Sequence, residues 1–420
     1  MAVRGCDARP AGAVFVSKGP FLPYGRQWID EADIAAVEQV LRGDWLTQGP
    51  SIGWFERSFA EKVGARHAIA CANATAALHI CMLALDLEPG DAVLVPSVTF
   101  LATANAVRYV GAQVAFTDVD PDTGLMRRQD AEDAIARAEA RGWRVRAIAP
   151  VHLAGQTADM EGLSALATER GLTMVEDAAH AVGTRLTGAD GGMVAVGACD
   201  RSSLACFSFH PVKTMATGEG GMVTTNDDAL AKRVRAGVSH GMARDPDGFT
   251  NPTAALAADG KPNPWYYEMP EPGFNYRMTD IQAALGISQL AKLDAFVRTR
   301  AKLVATYDTA LSPLAPILTP SARMPGVAAG WHLYVALIDF AALGMDRAAF
   351  MAALRQDGVG SQVHYIPVHT QPYYRRLYGD LHLPGAAGWY DRCLSLPLYP
   401  AMSMADQDRV VDALTRIIKG

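Results

Sequence analysis

The sequence predicts an α/β protein: a large domain on a mainly parallel, seven-stranded sheet, followed by a smaller C-terminal α/β domain. Two patterns carry this reading. Seven short runs, 67–71, 92–96, 113–118, 146–152, 173–177, 204–209 and 221–225, are apolar on both faces and alternate with helical segments. That is the pattern of strands covered by helices on each side. A helical stretch over 280–311 is long enough to bridge two domains, and strand and helix patterns recur beyond it at lower density. The expected division is a flexible lead-in over 1–19, a large domain over 20–290 and a small domain over 291–420.

Taken in order, residues 1–19 have no clean apolar core followed by a cleavage site, so they read as a lead-in rather than a signal. Asp30 is placed to cap a helix whose apolar face is Ile34, Val37, Val40 and Leu41. The longest apolar stretch, 68–87, contains Asn73, Thr75 and His79 and makes a poor membrane span. After the bridging helix, 331–340 reads as a strand, 346–357 as a helix and 404–418 as a closing amphipathic helix.

Composition narrows the function classes. With 50% hydrophobic and 20% charged residues in 420, the profile is that of a globular protein with a large core. A net charge of -6 and no basic stripe argue against a nucleic-acid partner. The six cysteines, Cys6, Cys71, Cys81, Cys199, Cys206 and Cys393, form no CxxC pair and no cluster with zinc spacing. Reduced thiols and a cytoplasmic protein are the expectation.

Four segments could carry chemistry. Phe207-Ser-Phe-His-Pro-Val-Lys-Thr runs from an apolar strand into a Gly-rich turn that holds Lys213. This puts the lysine at the carboxyl end of a strand, where open α/β sheets place ligands. Desolvation there lowers an amine's pKa and makes it a nucleophile; the alternative is an ordinary surface lysine. Val175-Glu-Asp-Ala-Ala-His ends a strand with Asp177 on the same rim, either as a partner for a protonated pyridine nitrogen or as a helix cap. Asn73-Ala-Thr-Ala-Ala-Leu opens a helix whose free N–H groups and Thr75 hydroxyl suit a phosphate. Pro96-Ser-Val-Thr-Phe delivers Phe100 to the rim, to cover a planar cofactor or simply to join the core. Dinucleotide-binding, P-loop, HExxH and GxSxG motifs are absent.

Together these segments resemble the DegT/DnrJ/EryC1/StrS family of sugar aminotransferases. The resemblance runs from about residue 20 to the C-terminus. It includes Leu46-Thr-Gln-Gly-Pro, Thr99-Phe-Leu-Ala-Thr-Ala-Asn-Ala, Gly218-Glu-Gly-Gly and Phe274-Asn-Tyr-Arg-Met-Thr-Asp-Ile-Gln, in the family's order. It implies the aspartate aminotransferase type I fold, with pyridoxal 5'-phosphate in the large domain. It also implies that Lys213 carries the cofactor and that Asp177 pairs with the pyridine nitrogen. His180, where many members have Gln, would bond the phenolic oxygen. Ala74, Thr75 and Ser208 would bind the phosphate, and Phe100 would stack on the ring. Asn275, otherwise a turn residue, would reach the neighbouring subunit's phosphate, giving a homodimer with shared active sites.

Most members have Ser-Gly-Thr where this chain has Asn73-Ala74-Thr75, so a Cβ at Ala74 narrows the approach to the phosphate. This variant, with Leu46-Thr-Gln-Gly, Trp331-His-Leu-Tyr and Gly360-Ser-Gln-Val-His-Tyr-Ile-Pro, resembles the subgroup that makes pseudaminic-acid precursors. Those are the UDP-4-amino-4,6-dideoxy-N-acetyl-β-L-altrosamine transaminases. The expected reaction moves an amino group from L-glutamate to the C4 keto group of a UDP-linked 4-keto-6-deoxy-N-acetylhexosamine. Alternatives are another nucleotide keto sugar (dTDP- or GDP-linked, at C3 or C4), or a non-catalytic cofactor-binding protein. Tyr276, His332 and His364 are candidate substrate contacts and equally candidate core residues. A related group of sugar 3-dehydratases has His where the lysine belongs, and Lys213 disfavours that reading.

Overall fold

The structure, a computed structural model, describes residues 20–420; the expected lead-in over 1–19 and Cys6 lie outside the described residues. Among the described residues thirteen strands follow in chain order. They are β1 His67–Cys71, β2 Asp91–Pro96, β3 Gln113–Thr117, β4 Arg144–Ile148, β5 Thr173–Asp177, β6 Arg185–Thr187, β7 Met193–Ala195, β8 Leu204–Ser208, β9 Gly221–Thr225, β10 Leu318–Pro320, β11 Val327–Ala328, β12 Tyr334–Ile338 and β13 Cys393–Leu396.

Seven of them form the main sheet in the order β1-β9-β8-β5-β4-β2-β3. Only β9 runs against the rest, pairing antiparallel with both β1 and β8. The other neighbours pair in parallel, and these strands are buried along most of their length except β4, where only Ala147 and Ile148 are buried. This is the two-sided burial that their apolar runs predict. A small sheet, β10-β12-β13, and a surface ribbon, β11-β6-β7, complete the architecture.

The expected strands correspond to observed ones, with shifted edges that have local causes. The 146–152 run becomes Arg144–Ile148, because Pro150 has no N–H to continue the ladder. Beyond it the pairing reduces to a single bridge between Val151 and Asp177. The 331–340 strand shortens to Tyr334–Ile338. Here the N–H groups of His332 and Leu333 go to the Ala154 carbonyl, and Asp339 caps a short helix instead.

The long helix Asp280–Leu311 appears as predicted, spanning about 48 Å at 1.5 Å per residue. Its first turn explains the string Met278-Thr-Asp-Ile-Gln. Thr279 and Gln282 form a capping box, and the Gln282 amide also donates to the Glu219 carbonyl at 2.7 Å. Asp280 is fully buried and accepts from the Gly49 and Ser51 N–H groups at 2.7 and 2.9 Å. Leu46-Thr-Gln-Gly-Pro is thereby pinned to the helix start, and a Cβ at Gly49 would strike the Trp45 side chain at 2.4 Å. Farther along, Arg300 is fully buried and donates to the carbonyls of Trp331, His332 and Leu398, tying together the chain segments that lead into and out of the small sheet.

The first helix, Glu31–Leu41, corrects an expectation. Asp30 caps it, but the face turned inward carries Asp33 rather than the apolar set. Asp33 is 1% exposed, bonded to Lys292 Nζ and Gln289 Nε2, both at 2.7 Å. This polar anchor sets the helix's rotation and leaves Ile34 and Leu41 exposed, as Trp45, Leu46 and Trp54 also are.

Among the described residues no helix is long and apolar enough to cross a membrane, and no His, Cys, Asp or Glu group is placed to hold a metal ion. Cys71, Cys81, Cys199, Cys206 and Cys393 are buried and free.

Candidate active site

The parallel strands end on one rim, and a cavity of about 650 Å³ opens there. Its lining brings together Ala74, Thr75, Phe100, Asp177, His180, Ser208, Lys213 and His364, residues spread over nearly 300 positions of sequence.

At one end, the helix Ala74–Ala84 begins directly after β1. Asn73 caps it by accepting from the Ala76 N–H at 2.9 Å, so the first-turn N–H groups of Ala74 and Thr75 have no helical carbonyl behind them. The helix start lies tight on the sheet. A Cβ at Gly221 would sit 2.5 Å from the Asn73 carbonyl oxygen, which is why the Gly218-Glu-Gly-Gly string ends in glycine. Ser208, the last residue of β8, lines the same end.

At the centre stand Lys213 and Asp177. The loop after β8 is closed by Phe209 N–H to the Gly220 carbonyl and Thr217 N–H to the Phe209 carbonyl, at 2.9 and 2.8 Å. It holds Lys213 as a half-buried group in the cavity wall. Burial pushes the Lys213 ammonium down to about 8, while the negative charge of Asp177 pulls the other way. Asp177 accepts from the Thr103 hydroxyl at 2.7 Å and from the Ala179 N–H at 3.1 Å. No helix starts after Asp177, so its alternative reading as a helix cap fails: the carboxylate closes a turn and faces the cavity.

The third side is a group of neutral imidazoles. His180 lies against His332 with ring centroids 4.3 Å apart and planes tilted by 50°, and its Nε2 lies 3.0 Å from the Tyr365 hydroxyl. Burial drives both imidazoles well below the usual histidine range, and Lys213 adds to the effect. His364 is pushed down to about 3 by burial and by Lys213, and its Nδ1 bonds the Ser395 hydroxyl at 2.8 Å. Phe100 projects at the mouth, 57% exposed, with its ring 6.1 Å from that of Tyr365.

Three expected site residues lie away from this cavity. His332 is buried behind His180, so it supports that imidazole rather than lining the site. Tyr276 stacks on Phe274 and bonds His79, and its backbone carbonyl accepts from the Ala72 N–H; it braces β1 from outside. Asn275 is exposed and absent from the lining of its own chain's cavity.

Thr103 and Tyr365 are the residues that sequence reasoning missed. Thr103 lies one helical turn from Thr99, whose hydroxyl is 2.8 Å from its own, and that spacing was a readable signal. Tyr365 meets His180 across 185 positions, which no local pattern announces.

The family model for DegT/DnrJ/EryC1/StrS aminotransferases matches residues 27–415. The chain belongs to the DegT/DnrJ/EryC1/StrS aminotransferase family. It is 39% identical over 407 residues to the spore coat polysaccharide biosynthesis protein SpsC of Bacillus subtilis (strain 168), covering 95% of this chain and 98% of that one. Among solved structures, it superposes with a TM-score of 0.83 on Helicobacter pylori PseC, described as an aminotransferase involved in the biosynthesis of pseudoaminic acid. Identity there is 26%, with 95% of this chain and 99% of PseC covered. The PLP form of the putative sugar aminotransferase Spr1654 from Streptococcus pneumoniae gives 0.82 at 26% identity, with the same two coverages.

The chain is thus a sugar aminotransferase of fold type I, and its cofactor is pyridoxal phosphate. Its own residues fit that group. One end of the cavity offers unpaired N–H donors for a phosphate, the centre an acid and a lysine of depressed pKa, and the mouth a flat aromatic.

Proposed function

We propose that the enzyme transfers the amino group of L-glutamate to the C4 keto carbon of a UDP-linked 4-keto-6-deoxy-N-acetylhexosamine, a pseudaminic-acid precursor. The observation that carries the amino-transfer chemistry is Lys213 facing Asp177 in one cavity with the Ala74–Thr75 helix start. The sugar assignment rests on the Asn73-Ala74-Thr75 and Gly360-Ser-Gln-Val-His-Tyr segments and on the likeness to PseC.

Each residue has a role in this reading. Pyridoxal phosphate supplies the electron sink that lets a C–H bond beside the transferred nitrogen break. Ala74, Thr75 and Ser208 hold the phosphate with N–H and hydroxyl donors. The Asp177 carboxylate keeps the pyridine nitrogen protonated and is itself steadied by Thr103. His180 governs the phenolic oxygen. Lys213 Nζ takes the proton from the donor's Cα and delivers one to the sugar carbon. A pKa of about 8 suits one amine to both tasks. His364 and Phe100, at the cavity wall, meet the substrate.

The free, buried cysteines support a cytoplasmic location, and two features support a homodimer with shared sites. Asn275 is exposed outside its own cavity, as a residue completing a neighbour's site would be. Ile34, Leu41, Trp45, Leu46 and Trp54 leave apolar surface uncovered, and a second copy of the chain is the partner assigned to it. In the same reading the large domain passes to the small one within the helix Asp280–Leu311, near residue 290.

A panel of UDP-, dTDP- and GDP-linked 3- and 4-keto sugars, offered with L-glutamate and read by mass spectrometry, tests the assignment. Amination of the UDP-N-acetyl 4-keto-6-deoxy hexoses is expected. Amination confined to a dTDP or GDP sugar would overturn the sugar assignment, and none at all, with glutamate leaving the chromophore unchanged, would overturn the transfer reaction.

A further inference from the structure

The regular ladder between β4 and β5 ends short of the cavity. It pairs Ala147 with Thr173 and Ile148 with Met174, and Asp177 lies beyond the last of these pairs. Pro150 has no N–H to carry the ladder on. Asp177 is held on this side by the irregular segment 150–152. Its N–H donates to the Pro150 carbonyl at 2.9 Å, and its carbonyl accepts from the His152 N–H at 3.0 Å. The His152 side chain turns instead to the preceding residue, with Nε2 2.7 Å from Glu176 Oε2. A single residue thus clasps two successive ones, Glu176 by its ring and Asp177 by its backbone.

On the other flank, the Ser202 hydroxyl donates to Glu176 Oε1 from the segment that enters β8, and the last pairing of β8 with β5 is Cys206 with Asp177. The Glu176 carboxylate therefore bridges both neighbours of β5, one residue before the acid. Successive strand side chains point to opposite faces, so Asp177 faces the cavity and Glu176 faces away. None of His152, Glu176 and Ser202 lines the cavity. His152 is 0% and Glu176 4% exposed, and a carboxylate and imidazole buried together return little net stability once their lost hydration is counted. What the arrangement does return is a fixed geometry.

We propose that Glu176 is a positioning residue for Asp177: gripped by His152 and Ser202, it fixes the end of β5 where the ladder no longer does. The inference rests on Asp177 as the partner of the pyridine nitrogen and adds what holds that partner in place.

The bound cofactor is planar and owes its visible circular dichroism to the fixed asymmetry around it, so that band reads placement where a melting curve reads stability. In the holoenzyme with cofactor in excess, Glu176→Ala should lower the band about twofold or more and kcat on the order of 10-fold, the scale of a small misplacement of a catalytic group. The KM of the amino donor should stay within about twofold, since the clasp touches nothing that the donor meets. Glu176→Gln keeps the length, an oxygen for the His152 ring and an N–H for the Ser202 oxygen, and should restore band and kcat to within about twofold.

Ser202→Ala opens only the β8 flank and should move the band the same way by less. Should Glu176→Ala not fold, Ser202→Ala and Glu176→Gln decide the matter. A thermal midpoint that falls in Glu176→Ala or Ser202→Ala, while the band and kcat per folded molecule stay put, would make the clasp purely structural and overturn the proposal. So would a Glu176→Gln protein with its band and kcat lost, because charge rather than placement would then be what Glu176 supplies. Asp177→Asn in the same series keeps the underlying reading separate. If it leaves band and kcat unchanged, the pyridine role of Asp177 fails, and the clasp has nothing to position.

Discussion

Asp177 and Asp280 are both buried aspartates, and both lie in strings by which the family resemblance is seen, yet they do opposite work. Asp280 accepts two backbone N–H groups from a segment 230 positions away, and nothing of it faces a cavity. It joins the start of the long helix to the entry of the helix Pro50–Val63. Asp177 bonds one hydroxyl and one nearby N–H, and turns toward an amine whose pKa burial has lowered. Asp280 is satisfied within the fold, whereas Asp177 waits for a ligand. A motif that marks a family therefore need not mark its chemistry. What separates the two is whether the partners of the carboxylate are all in the chain.

Substitution should pull this pair apart. The largest effect belongs to the amine: Lys213→Ala should reduce transfer from glutamate on the order of 10³-fold or more, since it removes both the attachment and the proton carrier. Single-turnover absorbance with the cofactor supplied in excess would check this. Next, Asp177→Asn should lower kcat roughly 10²-fold through a weakened electron sink, while the thermal midpoint moves little. A large drop in that midpoint would place Asp177 with Asp280 as a structural group.

Asp280→Ala should show the reverse. Two buried N–H groups lose their acceptor, at a cost of about 2–4 kcal/mol in stability, and kcat per folded molecule should stay within about twofold. Denaturant melts paired with steady-state rates would decide it.

The pH dependence sharpens the Lys213 side. Only the neutral amine captures the cofactor, and its fraction rises about tenfold per pH unit below the pKa and levels off above it. Reconstitution of the apoprotein should thus accelerate with pH up to about 8 and then flatten. A break near the ordinary lysine value of 10.5 would contradict the desolvated site. The smallest effect is expected for Thr103→Val, which removes one hydroxyl donor to Asp177 and should cost roughly fivefold in kcat, the equivalent of about 1 kcal/mol.

How much of this could be read in the chain follows from the range of each interaction. The main-sheet strands were legible because burial on both faces writes itself as an apolar run, and the helix Asp280–Leu311 because its cap and length are local. Lys213, Asp177 and the Ala74 helix start were legible because each sits at a strand end, and parallel strands share a rim. The inward face of the first helix was not, since Asp33 is buried for the sake of Lys292 and Gln289, more than 250 positions away. Nor was the place of His332 behind His180, which depends on how the segment after residue 330 docks against Ala154.

The position of β9 has a consequence for the order in which the protein is made. β1 joins the ladder of the main sheet only through β9, so the strand that leads into the helix at Ala74 has no hydrogen-bonded neighbour until Gly221–Thr225 has been synthesised, although the helix itself also packs on β8. The segments carrying Asp177 and Lys213 precede that strand, and on the ribosome they emerge before the phosphate end of the cavity can be built. A chain stopped just short of Gly221 would possess the acid and the amine but would lack the strand that ties the phosphate end of the cavity into the sheet. The last strand added to the sheet is the one that turns a set of reactive groups into a binding site.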